Sequence, residues 1–386
     1  MLDTDSPHAS DECACPDGYP IARPAATPSL ASVLRGRIAA EGPLSFAAFM
    51  AAALYHPEAG YYARGIRQVG RGGDFFTSVS VGPLLGGLLA RRFVREWSEA
   101  GKPARWRIVE CGAHDGTLAA DVLAELGRLS AAAFRALEYA IPEPLPVLRQ
   151  AQGETLRPFA DCVRHLADVN ELAADPLPGI AFGNEVLDAL PCHLIEWRDG
   201  QWCERYVALD EADGFTWRLM AINDPRLRAA LEPLGSAFPE GYRSEARTGY
   251  HEFLAPLARS LSSGLMLWLD YGFERPEYYH PARREGTLRT FARHRAGDDP
   301  LRCPGELDIT AHVDFTAVAE AAEALGWQQS ALRSQGAWLT ETARDWLLEM
   351  EGKPQAAALR QFQTLTHPAQ LGGAFQALEL RFGIKP

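Results

Sequence analysis

The chain has 386 residues, of which 47% are hydrophobic and 23% charged, with a formal net charge of −12. That length can bury a large core, and the composition is that of a globular protein. The acidic balance argues against a nucleic-acid partner, which needs a basic face, and the longest strongly apolar run, residues 265–269, is too short to insert across a bilayer.

Residues 1–28 are rich in Pro, Ala, Ser and Asp without periodicity and are expected to be a disordered tail. They carry neither the basic and apolar segments of a secretory signal nor the Arg-rich character of a mitochondrial presequence. Residues 29–105 read as an N-terminal helical and lid region. Within it, 29–54 is helical with a break at Gly42-Pro43, and Ser45 is placed to cap the helix carrying Phe46, Phe49 and Met50. The stretch from Gly60 to Thr77 is too aromatic for a linker and too glycine-rich for a regular element. Gly82-Pro83 then opens a helix with Leu85, Leu89, Phe93 and Trp97 along one face.

Short apolar runs at 107–111, 139–141, 163–166, 179–182 and 265–269 alternate with helical stretches. This is the pattern of an α/β protein with a doubly wound, Rossmann-like parallel sheet. Its first part spans 106–193 and its second 263–386, the latter with C-terminal helices; 194–262 reads as an inserted antiparallel and helical region. Asp314 caps a helix carrying Phe315, Val318, Ala322 and Leu325, 327–332 is a late strand, and the pattern from Thr340 onward is helical with a break at His367-Pro368. Cysteines at 13, 15, 111, 162, 192, 203 and 303 include no C-x-x-C pair, which suits a reducing compartment and a cytoplasmic protein.

Ligands of open α/β sheets sit at the carboxyl ends of the strands, and four of the proposed strands end there in polar residues. The first runs into Glu110-Cys111-Gly112-Ala113-His114-Asp115-Gly116-Thr117. A dinucleotide fingerprint needs glycines at 112, 114 and 117, which His114 and Thr117 break, and a phosphate loop needs a Gly-Lys-Ser/Thr that is absent. What remains, E-x-G-x-x-x-G, is the spacing typical of S-adenosylmethionine (SAM) sites, where a ligand without phosphate needs close backbone approach. Glu110, Gly112, His114, Gly116 and Thr117 are thus candidate cofactor residues, with an ordinary strand-to-helix turn as the plain alternative. The second strand ends at Glu143, whose carboxylate can accept both hydroxyls of a ribose; a solvated loop acid between Pro142 and Pro144 is the alternative. Asp168, after the third, is either a partner for an adenine amino group or a turn cap. The fourth ends in Asn184-Glu185, beside apolar residues, where an unpaired carboxylate is costly and so calls for a partner. Asp188 reads first as a cap.

The segment Asn184-Glu185-Val186-Leu187-Asp188-Ala189-Leu190-Pro191 resembles the hallmark of the MidA family of class I SAM-dependent methyltransferases. Gly60-Tyr61-Tyr62, Gly73-Asp74-Phe75-Phe76-Thr77, Asp270-Tyr271-Gly272, Gly286-Thr287-Leu288-Arg289 and the run from Pro304 to Phe315 agree with it in the same order, from about Pro43 to the C-terminus. The resemblance implies a class I methyltransferase sheet, SAM as cofactor and a protein substrate. Mitochondrial members are complex I assembly factors that methylate an arginine of a core subunit, so a respiratory-complex subunit is the implied partner; a homodimer is one candidate assembly. Glu185 is then the catalytic carboxylate, pairing with the acceptor guanidinium, and Asn184 positions the acceptor or the methionyl moiety. The Gly60–Thr77 segment becomes a lid, with Gly73, Asp74 and Thr77 toward the cofactor and Tyr61 and Tyr62 toward the substrate. Asp188, Tyr271, Arg289, His294, Asp308 and His312 are candidate substrate-lining residues. No H-E-x-x-H or similar pair suggests a metal.

Two segments depart from the family pattern. Its usual Glu-Leu-Gly-Pro-Gly-Arg-Gly-Thr is here broken by His114, which puts a side chain where backbone is expected to lie against SAM. Its usual Thr-Ser/Ala-Pro-Glu-Ile-Ser is Thr77-Ser78-Val79-Ser80-Val81-Gly82, without the acid. Both departures fit an altered substrate, including a small molecule, or a binding and assembly protein without catalysis.

Overall fold

The computed structural model describes residues 29–64, 77–292, 295–297, 299–352 and 355–383. The 1–28 tail, the lid residues Gly73 and Asp74, and His294 lie outside the described residues. Among the described residues the central sheet has eight strands, seven of them in one continuous order: β1 (Trp106–Cys111), β2 (Leu137–Pro142), β3 (Val163–Leu166), β4 (Leu177–Asn184), β5 (Leu261–Phe273), β6 (Gln328–Ser334) and β7 (Phe375–Phe382), with the short strand Val313–Asp314 pairing in parallel with the end of β5. The order of the seven is β6-β7-β5-β4-β1-β2-β3. Pairs among β1 to β5 are parallel, and β7 runs antiparallel to both β5 and β6.

Every residue of β1 is buried, as expected of a central parallel strand covered on both faces. One face carries the helices Leu84–Glu99 and Thr117–Leu129, whose Leu85, Leu89, Phe93, Leu118, Val122 and Leu126 join Ile108, Ile180 and Leu267 in one apolar cluster. These helices approach closely at Gly86, where an added Cβ would stand 2.4 Å from the Asp121 Cβ. The other face is covered by Tyr250–Ser260 and Phe315–Glu323. From β1 the chain builds outward through β2 and β3, then returns so that β4 lies beside β1. That reversal places the ligand crevice at the carboxyl ends of β1 and β4.

A helical reading beyond Thr340 fails at β7. Phe375, Leu378 and Phe382 lie at spacings that suit a helix as readily as a strand, and only pairing with β5 and β6 decides between them. The inserted region forms an antiparallel sheet of Leu44–Ser45, His193–Arg198, Gln201–Leu209, Phe215–Ala221 and Arg243–Ala246. The last strand lies in a stretch that reads as helical. Helices Leu30–Glu41 and Phe46–Tyr55 pack on this sheet rather than on the central one, with Phe46 against Trp217 (5.5 Å) and Phe49 against Phe215 (5.9 Å). A small sheet joins Arg289–Ala292, Arg295–Gly297 and Asp308–Thr310. Among the described residues, no helix is long and apolar enough to cross a membrane.

Candidate active site

The chain leaves β1 through Gly112 at φ +68°, and Gly116 at φ +83° caps the helix that follows. Between them His114 adopts φ +48°, so this residue holds a left-handed backbone of the glycine type. Its imidazole is 3.8 Å from the Asp115 carboxylate, and its charge acts on Glu143. Asp115 also accepts the Thr117 N–H (3.0 Å), fixing the first turn of the helix. Glu110 is buried and accepts the hydroxyl of Tyr139 on β2 (2.5 Å); burial pushes its pKa up to about 8.

Glu143 is buried at the end of β2. Its Oε1 accepts the Leu145 N–H (2.9 Å) and its Oε2 the amide of Gln152 (3.3 Å). Burial raises its pKa, opposed by those two hydrogen bonds and by the His114 charge. Fully buried Gln152, unnoticed in the sequence, also donates to the His114 carbonyl (2.9 Å), so one side chain ties the glycine loop to the acid. Asp168 is exposed and caps the short turn Val169–Leu172, accepting from the Asn170 backbone and side chain (both 2.8 Å). One oxygen of its carboxylate thus serves as a turn cap.

At the end of β4, Glu185 has φ +55°, and its N–H donates to the Leu269 carbonyl on β5 (2.9 Å). The turn is held by Asp270, whose Oδ2 accepts the N–H groups of Val186 (3.0 Å), Leu187 (2.8 Å) and Asp188 (3.3 Å). Arg247 clamps the far side, donating to the carbonyls of Asp188 (2.6 Å), Leu190 (2.9 Å), Ala311 (2.7 Å) and His312 (2.6 Å). Asn184 Nδ2 (2.9 Å) and Ser78 N (3.4 Å) donate to Glu185 Oε1. Burial, then the Asp188 charge, pushes the Glu185 pKa up to about 8. Asp188 itself rises to about 6 through burial, restrained by Arg247. The Tyr62 hydroxyl donates to Asp308 (3.2 Å) and that of neighbouring Tyr55 to the Ala189 carbonyl (2.9 Å). Glu185, Asp188 and Asp308 thus form one acid cluster, each felt electrostatically by the tyrosines or carboxylates around it.

Residues 88–332 match the model of a family described as S-adenosyl-L-methionine-dependent methyltransferases. The chain belongs to this SAM-dependent methyltransferase family. A mitochondrial protein arginine methyltransferase NDUFAF7 homolog of Drosophila melanogaster is 30% identical, over 92% of this chain and 85% of that one. The Homo sapiens protein arginine methyltransferase NDUFAF7, mitochondrial, is 26% identical over 89% and 81% of the two chains. A methyl transferase-type protein from Burkholderia thailandensis, solved with S-adenosyl-homocysteine bound, shares 34% identity and superposes with a TM-score of 0.83 over 92% of both chains.

The methyltransferase uses SAM, and its own residues fit that group. Two buried amide oxygens at the strand ends, Asn184 Oδ1 and Gln152 Oε1, have no protein partner among the described residues. Buried acceptors need donors, and the ammonium and ribose hydroxyls of SAM are donors that Asn184 and Gln152 would hold. Glu143 has acceptor capacity left for the ribose beyond its two intramolecular bonds. The other expected residues divide. Tyr271 packs on Phe375 (3.9 Å) and His312 (6.1 Å), and burial lowers the His312 pKa to about 4, so this imidazole is neutral at pH 7. Tyr61 is 1% exposed inside the apolar cluster of the inserted region, which makes it a core residue rather than a substrate contact. Thr77 bonds locally to Ser80 (3.0 Å); its neighbour Ser78 reaches the site instead. Arg289 is exposed and lines a different cleft.

Gln152→Leu should lower S-adenosyl-homocysteine affinity about tenfold, because it strands a buried carbonyl and frees Glu143. Titration calorimetry would check this; unchanged affinity would remove Gln152 from the positioning of the loop.

Proposed function

We propose that the methyl acceptor is an arginine of a protein partner, with Glu185 as the carboxylate that pairs with its guanidinium. The observation that carries this reading is the acid cluster in which half-buried Glu185 and buried Asp188, after β4, act electrostatically with buried Asp308 of the small sheet, beside Asn184. Like charges so placed are relieved by a cation, and a guanidinium, charged up to a pH of about 12, is such a cation. The arginine methyltransferase names of the relatives support the same acceptor.

Bound SAM supplies a methyl group on a sulfonium for in-line displacement. The protein's part is alignment and proton handling. Asn184 and Ser78 occupy Glu185 Oε1, which leaves Oε2 to hold the acceptor N–H and take its proton as the nitrogen is methylated. The Tyr62–Asp308 pair closes the acceptor side.

The test is incubation with methyl-labelled SAM and candidate protein partners, a respiratory-complex subunit first because of the resemblance to complex I assembly factors. Label is expected on arginine by mass spectrometry. Label on a small molecule only, or SAM binding with no transfer to arginine, overturns the assignment.

The same carboxylate sets a pH dependence. Glu185 must be ionised to pair, and its raised pKa means that the ionised form is gained as pH rises. The kcat/KM profile should therefore climb through about 8. A bound guanidinium favours the carboxylate, so the corresponding limb of kcat should lie at lower pH. A flat kcat/KM from about pH 6 to 9 would count against Glu185.

A further inference from the structure

One donor to Glu185 Oε1 comes from a part of the chain remote from β4. The Ser78 N–H belongs to the stretch 78–84, which leads into the helix Leu84–Glu99. Ser78 is fully buried, and its hydroxyl donates to Oε1 of fully buried Gln335 (3.4 Å), 257 residues away in sequence. The amide nitrogen of Gln335 in turn donates to the Leu365 carbonyl (3.1 Å). Both ends of this buried amide are therefore engaged, as its burial requires.

The surroundings fix Gln335 in turn. It opens the helix Gln335–Thr342 directly after β6, with Ser334 as the cap. Its neighbour Gly336 lies so close to the helix Ala356–Thr366 that an added Cβ would meet the Thr366 carbonyl, and the same carbonyl excludes a Cβ at Gly372. That helix also holds the other end of the 78–84 stretch. Gln361 Oε1 accepts the Leu84 N–H (3.1 Å), and the Gln361 amide lies against Gly82. Two glutamines of the C-terminal helices thus grip the stretch at both ends.

A glutamate carboxylate turns readily about its last side-chain bond, because that torsion has a broad, two-fold profile. Two donors converging on one oxygen select a single orientation. Asn184 supplies one of them (2.9 Å), but as the adjacent residue it moves with the same turn. Ser78 supplies the other from an independent part of the fold (3.4 Å). We propose that Gln335 is a positioning residue for methyl transfer: through Ser78 it holds Glu185 Oε1, so that Oε2 faces the acceptor guanidinium. The proposal rests on the reading of Glu185 given above. It ties the C-terminal helices to the geometry of the acceptor site.

The experiment follows the Glu185 carboxyl by NMR in the full chain, isotopically labelled at its glutamate carboxyl groups and saturated with S-adenosyl-homocysteine. The signal is identified by its loss in Glu185→Gln. Gln335→Met keeps the length of the side chain but neither accepts from Ser78 nor donates to Leu365. Ser78→Ala removes only the hydroxyl, keeps the N–H and is the smaller burden on folding. A loosened Ser78 N–H weakens a bond that favours the ionised carboxylate. The titration midpoint near 8 should therefore rise by about half a unit in either variant. The double variant should rise no further, since both substitutions cut the same link. Asp188, Asp270, Tyr271 and Asp308, the ionisable groups coupled to Glu185, are left in place by both. Transfer to the partner arginine that takes the label should lose about tenfold in kcat with KM within about threefold. S-adenosyl-homocysteine affinity within about threefold of the parent confirms folding. A midpoint that stays in place in both variants, or that moves in Gln335→Met alone, overturns the proposal, as does an unchanged kcat. Failure of the Glu185 reading looks different: the midpoint still moves on both substitutions, but Glu185→Gln transfers methyl at the parent rate.

Discussion

Glu185→Gln should lower methyl transfer on the order of a thousandfold while S-adenosyl-homocysteine affinity stays within about threefold. The substitution keeps the length of the side chain and an oxygen that can still accept from Asn184 Nδ2 and Ser78 N, so the turn after β4 keeps its shape. Asp270 holds the backbone of that turn independently of residue 185. What disappears is the charge that pairs with the acceptor and the atom that takes its proton. The neutral amide also resembles protonated Glu185, so the residual rate should lose the rising pH limb near 8. Radiolabel transfer and calorimetry on the same preparation separate the outcomes. A parallel loss of S-adenosyl-homocysteine binding would move Glu185 to the cofactor side. An unchanged rate would hand the acceptor to Asp308.

The strand-end chemistry was legible because it is local. A buried run, a glycine loop and an acid after the next strand are neighbours in sequence, so Glu110, Gly112, Glu143 and Asn184-Glu185 could be read before any contact was known. The groups that make those residues work come from far along the chain. Asp270 reaches the backbone of Val186 across 84 residues, and Arg247 reaches Asp188 across 59. In sequence, one is the end of an apolar strand and the other an arginine in a stretch that reads as helical. Gln152 carries no local signal either: it is one amide on an amphipathic helix, distinguished only by total burial. The capping role of Asp168 was legible, since Asp168 and Glu171 make a capping box within four residues of sequence. Tyr61 misled because glycine-rich aromatic segments suggest a surface lid, whereas its ring fills the core under the inserted sheet. His114 is the instructive departure. Where the resemblance leads one to expect glycine, His114 holds a left-handed backbone that glycine adopts most readily.

Arg247→Leu should cost about 3–5 kcal/mol of folding stability, the largest loss expected from any single substitution around the site. The guanidinium is 7% exposed and donates to four backbone carbonyls, joining the turn after β4 to the turn at Ala311-His312. Leucine matches much of the volume but leaves those carbonyls without donors and removes the cation that restrains Asp188. The loss should depend on pH in a defined sense. Asp188 already has a folded pKa of about 6, above the unfolded value, so ionising it opposes folding as pH rises through that range. Without Arg247 the pKa rises further, and the penalty of a buried unpaired carboxylate grows toward alkaline pH. Denaturant unfolding should therefore show a larger wild-type-to-variant difference near pH 8 than near pH 5. Arg247→Lys should fall between the two, because an ammonium has three donors and no planar fork with which to span four carbonyls. A leucine variant as stable as the parent at both pH values would show that the acid cluster is held by Asp270 alone, and Arg247 would then have no part in shaping the acceptor site.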